Sequence, residues 1–415
     1  MRSASFVMEG TEKQAEVTSA ILRRVWEFYD WKYVVAYELD QLARIKLQKS
    51  VSEIREAWWP VARRLLLRCG DLDLDELSRL DSSIEDLNAD IRAILGSELL
   101  AKLLDPVDAY YVTGAIPLEW TFLDGYPLCL YAPFYRFAKP QDLFSMYAPL
   151  TNGAKLVIAP CYSKPQLSGI NDAVEESAIL VRNDSSVTLL EGEVTTASLK
   201  SFQSKQFARL LFHGHGTIEG LLCSDGALIP YQSVLELVQG PAFLLGCSTG
   251  AFELGTLHTV MQQIPRGLHG ALLTAFPISG DYTRTLNLMV MGTFRLGDAR
   301  RVQDIAHMSR LALAYIGLMH AVTRLARLPI VNNVVIVTPF EANYDQYDRW
   351  GAGVKILREA VQQLRSEDIR QVVLPTATAF AMAVTSCGTP AFLLPDADPL
   401  LINLWKRFSS WDGKA

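Results

Sequence analysis

Two histidines and a cysteine stand directly after two apolar runs of the sequence. One run leads into His213 and His215, each followed by a glycine, and the other leads into Cys247. An imidazole close to a thiol can accept its proton or stabilise the thiolate, which is the nucleophilic form. Glycines allow a backbone to approach a substrate closely and to direct N–H groups at a developing oxyanion. These residues predict cysteine nucleophile chemistry, with the N–H groups of Cys247 and Gly216 as the oxyanion hole.

The elements that position these residues have the pattern of an α/β fold. After residue 105, short β-rich runs bounded by Gly, Pro and Asp alternate with helical stretches. Several runs are apolar throughout, which is typical of strands covered by helices on both faces. Catalytic groups gather outside the carboxyl ends of parallel strands, so neighbouring strands would bring His215 and Cys247 to one edge. The predicted strands cover 155–160, 186–192, 208–214, 241–247, 270–276 and 332–340, and the predicted helices cover 172–182, 252–264, 284–294 and 302–325.

The segment ahead of these strands has a helical pattern instead. Apolar residues over 11–104 recur with the helical period, which predicts amphipathic helices. Ser82, three residues before Glu85, predicts a capping box, and Pro60 is expected to kink or break another helix. Aromatic residues such as Trp58 either pack in the core or form a recognition surface, and core packing is favoured. The predicted domains are a helical domain at 1–104, an α/β domain at 105–342 and a small C-terminal extension at 343–415, in which one helix at 353–369 is expected.

The composition excludes several classes of function. The chain has 415 residues, 50% of them hydrophobic and 20% charged, as in ordinary globular proteins. A net charge of −6 without a run of Lys or Arg argues against nucleic-acid and anionic-lipid binding. The N-terminus lacks a signal-peptide pattern, and no apolar segment approaches the roughly 18–20 residues that span a bilayer. These features predict a cytoplasmic protein with no membrane contact.

The histidines and the cysteine admit other interpretations. The His-Gly-His triplet with Cys247 is a possible zinc site, but no carboxylate or further histidine at ligand spacing completes it, so no metal is expected. Buried structural histidines and a cysteine that only packs are further alternatives. The hydrolase nucleophile elbow requires glycine two residues before the nucleophile, where this chain has Leu245, so that class is disfavoured. No organic cofactor is expected either.

Six blocks of the sequence, in order, resemble the CHAT domain, a caspase-like family of cysteine peptidases related to separase. The residues 210–228 (LLFHGHGTIEGLLCSDGAL) resemble the histidine block of this family, and 242–250 (AFLLGCSTG) resemble its cysteine block. The likeness implies a caspase-like, mostly parallel sheet flanked by helices. The other four blocks are 114–131, with Pro-x-Glu and Asp-Gly, 173–181, 189–201 and 270–294.

The resemblance also implies roles for single residues. The separase-like form Gly-His-Gly fits only His215, which is therefore predicted as the base in preference to His213. Cys247 matches the nucleophile. Asp281 matches the aspartate that faces a basic P1 side chain, and Asp225 is a second acidic candidate, although a Ser-Asp-Gly turn is the alternative for it.

The implied activity is that of a cysteine endopeptidase that cuts a protein substrate at few sites, after a basic residue. By analogy with the family, a protein activator would release this activity, within a bacterial defence or signalling system, and the helical domain is the expected receiver. The alternative is a catalytically silent caspase-like scaffold that binds a partner through the helical domain.

Overall fold

The computed structural model describes the central part of the chain almost completely and shorter stretches on both sides. The described residues are 4–7, 33–36, 41–67, 73–96, 110–113, 117–123, 126–131, 133–137, 153–203, 205–252, 256–262, 270–278, 283, 286, 287, 290, 291, 302–325 and 362–388. The predicted strand at 332–340, most of the predicted helix at 353–369 and Asp281 lie outside them.

Strands and helices alternate through the described residues. The strands are β1 (Ala4–Val7), β2 (Tyr33–Ala36), β3 (Tyr110–Thr113), β4 (Phe122–Leu123), β5 (Tyr126–Pro127), β6 (Phe134–Phe137), β7 (Lys155–Pro160), β8 (Val187–Gly192), β9 (Arg209–His213), β10 (Gly220–Leu222), β11 (Leu228–Pro230), β12 (Pro241–Leu245), β13 (Gly270–Thr274) and β14 (Val384–Gly388). The helices are α1 (Gln41–Leu67), α2 (Leu74–Leu95), α3 (Asn171–Val181), α4 (Thr196–Lys200), α5 (Tyr231–Leu235), α6 (Thr256–Met261), α7 (Val302–Leu325), α8 (Ser366–Asp368) and α9 (Leu374–Met382), with a π-helical segment, Ile369–Val373, before α9.

A six-stranded sheet forms the centre of the fold, in the order β14-β13-β12-β9-β7-β8. The five strands β13, β12, β9, β7 and β8 are parallel to one another, whereas the edge strand β14 is antiparallel to β13. Every residue of β9, β12 and β13 is buried, as their unbroken apolar pattern predicts. Helix α3 packs against β7, and α7 packs against β13 and β14. The prediction of an α/β fold with a mostly parallel sheet flanked by helices is confirmed.

The edge strand β14 comes from the C-terminal segment, for which the sequence pattern indicated no strand. Its residue Cys387 pairs with Ala271 of β13, and the N–H of Ala275 donates to the carbonyl of Ala383 just before β14. Helix α9 packs on α7 so closely that a β-carbon on Gly317 would come within 2.9 Å of the Phe380 ring. Residues beyond position 342 therefore complete the sheet, while the domain boundaries at 104 and 342 stay predictions.

Helices α1 and α2 occupy part of the predicted helical segment. Helix α2 begins after Asp73, whose carboxylate accepts the N–H groups of Asp75 and Glu76. The prediction of a capping box at Ser82 is therefore wrong, because Ser82 lies within this helix. Pro60 does not break α1, whose neighbouring core residues, Trp58 among them, are buried. Core packing is thus confirmed for Trp58.

The same N-terminal segment also contributes strands, which the helical period did not predict. The four strands β1, β2, β3 and β6 form a second sheet in that order, with all neighbours parallel. This sheet lies next to β14, because the Ser386 hydroxyl donates to the Phe134 carbonyl of β6 at 3.3 Å. No helix among the described residues is long and apolar enough to cross a membrane.

A buried charge cluster joins distant parts of the chain. The carboxylate of Glu119, from the Pro-x-Glu block, pairs with Arg136 of β6, and Arg310 of α7 lies 3.9 Å from it. Thr385 of β14 donates its hydroxyl to the same carboxylate at 3.1 Å. All four side chains are buried, so each charge depends on the others for compensation.

Candidate active site

The two predicted catalytic turns leave the sheet side by side. Strand β9 ends at His213 and its parallel neighbour β12 ends at Leu245, which is opposite His213 in the register. The N–H of Gly214 donates to the Leu245 carbonyl at 3.2 Å, so the pairing continues one residue beyond β9. The turns that carry His215 and Cys247 therefore emerge at the same edge of the sheet, as predicted for adjacent parallel strands.

Glycines allow the two turns to touch. A β-carbon on Gly216 would come within 2.6 Å of the Cys247 carbonyl oxygen, and one on Gly246 would come within 3.0 Å of the Gly216 nitrogen. No backbone hydrogen bond among the described residues uses the Gly216 N–H as its donor. The two backbones thus approach each other at positions where a side chain would not fit. The Gly216 N–H, which is predicted to form part of the oxyanion hole, lies at this point of close approach.

The loop that follows β7 positions His215 in two ways. The Tyr162 hydroxyl accepts the backbone N–H of His215 at 2.8 Å and donates to the Leu222 carbonyl at 3.1 Å, and its ring packs edge-on against the imidazole. The Nε2 of His215 lies 2.7 Å from the Leu167 carbonyl. A carbonyl can only accept, so Nε2 carries the proton and Nδ1 is the basic atom of the neutral ring. Burial lowers the pKa of His215, and the Leu167 contact partly opposes this effect.

Gly214, the first glycine of the histidine block, is required for a different steric reason. A β-carbon on Gly214 would come within 2.6 Å of the Tyr162 hydroxyl, 2.8 Å of the Phe212 ring and 2.9 Å of the Pro160 ring. Only glycine leaves room for the tyrosine that holds the backbone of His215.

Cys247 is half-buried and its sulphur contacts the segment after β13. The thiol lies 3.4 Å from the Ile278 carbonyl, to which it can donate, and the Ile278 N–H donates to Sγ at 3.4 Å. Burial raises the pKa of this thiol above its ordinary value, while the N–H groups of Ile278 and of Cys247 itself oppose the rise. Residues 248–250, directly after Cys247, form a turn, and the described part of α6, which lies within the predicted helix at 252–264, begins at Thr256.

The turn after Cys247 is strained and firmly anchored. Ser248 has a φ of 55°, which makes it the only residue other than glycine in the left-handed region within the described part of the chain. Its N–H donates to the Phe276 carbonyl, and the buried Thr249 donates its hydroxyl to Leu244 and accepts the N–H of Thr274. These bonds hold the backbone on both sides of the strained residue.

The remaining predicted residues lie in different surroundings. His213 is fully buried, and its Nδ1 lies 2.5 Å from the Ser177 hydroxyl of α3. Asp225 is exposed in the β10–β11 turn, where its carboxylate accepts the N–H of Ala227 at 2.9 Å. This is the turn that the sequence offered as the alternative for Asp225, and a substrate-binding role stays a prediction, as it does for Asp281. Among the described residues no group of three or more His, Cys, Asp or Glu side chains is arranged to hold a metal ion.

Three groups around the site were not foreseen from the sequence: the Tyr162 hydroxyl, the Leu167 carbonyl and the Ile278 backbone. Two of them are backbone groups, which carry no signal in residue type. Tyr162 follows the predicted strand 155–160 by two residues, which is the signal that could have placed it at the same sheet edge.

Comparisons with known proteins found matches among solved structures, and the one described below is distant. No protein-family model matches the chain, and no curated protein matches it. Chains of solved structures do match, among them the crystal structure of the Saccharomyces cerevisiae separase–securin complex, with a TM-score of 0.35 and 12% sequence identity. The match covers 73% of this chain but only 24% of the other, so the chain spans about a quarter of the protein it matches.

Proposed function

We propose that this protein is a cysteine endopeptidase with Cys247 as its nucleophile and His215 as its general base. One observation carries the proposal: neighbouring parallel strands deliver both residues to one sheet edge, where the Leu167 carbonyl fixes the imidazole with Nδ1 as the basic atom. Nucleophilic cysteine catalysis requires a base and a thiol at one site, and the two adjacent turns carry these two residue types.

The chemistry proceeds through an acyl enzyme. The sulphur of Cys247 attacks the carbonyl carbon of the scissile peptide while Nδ1 of His215 takes the thiol proton. The oxyanion of the tetrahedral intermediate accepts hydrogen bonds from the N–H groups of Gly216 and Cys247. As the intermediate collapses, the C–N bond breaks and His215 gives the proton to the leaving amine. Water, deprotonated by His215, then attacks the thioester, which releases the carboxylic acid and restores the thiol.

The resting site favours neutral groups. Burial raises the pKa of Cys247 and lowers that of His215, so both the thiol and the imidazole are neutral at pH 7. Proton transfer then requires the substrate or a change at the site. An activating protein partner would supply such a change. The proposed substrate is a protein that is cut at few sites, and Asp281 and Asp225 are the candidates that would select a basic residue before the cleaved bond.

A screen of fluorogenic peptide mixtures tests the proposal. The screen compares wild type with Cys247→Ala, His215→Ala and His213→Ala, each with and without a lysate as the source of activator. The peptides contain every residue type at the position that precedes the cleaved bond. We expect cleavage after Arg or Lys that is abolished by the first two substitutions. It should be largely retained in His213→Ala, because the wild-type His213 imidazole is already bonded to Ser177. Equal loss in His213→Ala would contradict the choice of base.

A silent scaffold is the second candidate, favoured by the neutral thiol that is bonded to the Ile278 backbone. It predicts no cleavage by any variant under any condition, together with a Cys247 that alkylates no faster than the other cysteines after the activator is added.

A further inference from the structure

A single peptide group connects helix α1 to the sulphur of Cys247. The indole N–H of Trp58, in the middle of α1, donates to the carbonyl of Pro277 at 2.8 Å. That carbonyl and the N–H of Ile278 belong to the same peptide, and the Ile278 N–H donates to Sγ of Cys247. Trp58 and Cys247 therefore bind opposite ends of one rigid plane.

Trp58 is itself held in place by its surroundings. The side chain is 0% exposed, and its ring lies 5.6 Å from Phe276 and 5.3 Å from Phe380, centroid to centroid. Phe276 is next to Pro277, and its carbonyl accepts the N–H of Ser248. Movement of α1 would therefore move the segment that touches both the nucleophile and the residue after it.

The orientation of this peptide matters for the thiol. A peptide that accepts a hydrogen bond at its carbonyl becomes a stronger donor at its N–H. An N–H that points at sulphur stabilises the thiolate relative to the thiol. The side chains of Tyr162 and Tyr231 interact electrostatically with Cys247, and burial raises the pKa of both tyrosines, while His215 lies in the turn after the neighbouring strand β9. Neither tyrosine ionises near neutral pH, so neither opposes or replaces the contribution of the peptide.

We propose that Trp58 is a positioning residue for Cys247: its indole N–H holds the carbonyl of the Pro277–Ile278 peptide so that the N–H of this peptide points at Sγ, which couples helix α1 to the reactivity of the nucleophile. The inference rests on the proposed role of Cys247. The inference also explains how the N-terminal helices could receive an activator. A partner that displaces α1 would change the orientation of the Ile278 N–H that donates to the Cys247 thiol.

The test is the rate of alkylation of Cys247 by iodoacetamide between pH 7 and 10, followed by mass spectrometry of the peptide that contains it. The full chain is used as wild type, Trp58→Phe and Trp59→Phe. Trp58→Phe keeps a buried aromatic ring but removes the donor, whereas Trp59, the adjacent residue, is 37% exposed and serves as the matched control.

We expect alkylation of Trp58→Phe to be about 3- to 10-fold slower than that of wild type over this range, which corresponds to the loss of one hydrogen bond's influence on the thiolate. Trp59→Phe should match wild type. A role of Trp58 in packing alone would loosen the segment and expose the sulphur, so faster or unchanged alkylation in Trp58→Phe overturns the proposal.

A second variant covers a failure of Trp58→Phe to fold. Ile278→Pro removes the N–H itself and should slow alkylation in the same way, and an unchanged rate in this variant refutes the coupling. The result of the alkylation experiment can be distinguished from the result of the peptide-cleavage screen. If wild type cleaves no peptide but the alkylation rates still differ as expected, the protease proposal fails and the coupling stands, whereas cleavage with equal alkylation rates has the opposite meaning.

Discussion

Replacing Gly216 by alanine should separate the two catalytic turns. The new β-carbon would lie 2.6 Å from the Cys247 carbonyl oxygen, whereas carbon and oxygen ordinarily approach no closer than about 3.3 Å, so one backbone must move by about 0.7 Å. On its other side the β-carbon would lie 2.8 Å from the Thr249 methyl group. This threonine is buried and its hydroxyl is bonded to Leu244 and Thr274, so it cannot rotate away.

The size of the effect follows from this displacement. Forcing extra atoms into a packed site costs about 1–3 kcal/mol of stability. A shift approaching 1 Å between reacting groups lowers the rate of catalysis by about 100-fold. We therefore expect Gly216→Ala to be less stable to urea by about 1–3 kcal/mol and to cleave peptide at least 10-fold more slowly than wild type.

Gly169→Ala provides the matched control. A β-carbon there meets nothing within 4 Å, and the residue is not in the left-handed region. Replacing such a glycine reduces the entropy of the unfolded chain and stabilises a protein by about 0.4–1 kcal/mol. Tryptophan fluorescence in urea and the cleavage assay are applied to both variants. If Gly216→Ala proves as stable and as active as Gly169→Ala, the close contact between the turns is not real and the reasoning fails.

Three further predictions concern the buried charges and the pH dependence. Glu119→Gln should destabilise the chain by about 3 kcal/mol or more in urea, because two arginines lose their buried partner; a change below about 1 kcal/mol would contradict this. Burial lowers the pKa of His307 to about 4, so the folded state binds its proton less readily than the unfolded state, and stability should fall as the pH drops from about 6.5 towards 4. His307→Gln should lose less stability over that window in urea titrations, and an equal loss would exclude His307 as the cause. Because the pKa of His215 is lowered, the acid limb of kcat/KM should have its midpoint below 6.5; a midpoint above this value would argue against His215 as the base.

The central strands could be predicted from the sequence because their pattern is set by burial alone. Residues 155–160 form the predicted strand in full, and the strands around His213 and Cys247 begin within one residue of the prediction. A run of apolar residues between turn formers has few alternatives when helices cover both faces. Helix α7 was also predicted in full, since its apolar period continues over 24 residues without interruption.

Elements that depend on distant partners could not be predicted in this way. Strand β14 has the sequence VTSCG, which carries too little apolar signal, and it forms because β13 offers an open edge. Strands β1 and β2 have four residues each, and β2 lies within the segment that has a helical period. The start of α2 was misplaced because both Asp73 and Ser82 can cap a helix, and only the tertiary structure decides between them.

The candidate site shows the same division. Residue types and strand ends were enough to place the turns of His215 and Cys247 at one edge. The Leu167 carbonyl and the Ile278 backbone influence the protonation of these two residues. Because every residue has a backbone, the residue types gave no sign of these contacts. The pKa of the Cys247 thiol is raised by burial, which depends on the tertiary structure and is not indicated by the local sequence.

Formation of an acyl enzyme tests the central claim most directly. An activated aryl ester of N-acetyl-arginine can acylate a nucleophile without cleavage of a peptide bond. Intact-protein mass spectrometry counts the acyl groups, and mass spectrometry of the digested protein locates them. We expect one acyl group on Cys247 in wild type, none in Cys247→Ala, and acylation slower by about 100-fold in His215→Ala, as loss of a general base implies. An adduct on another residue, or an unchanged rate in His215→Ala, would contradict the assignment of Cys247 and His215 as a catalytic pair.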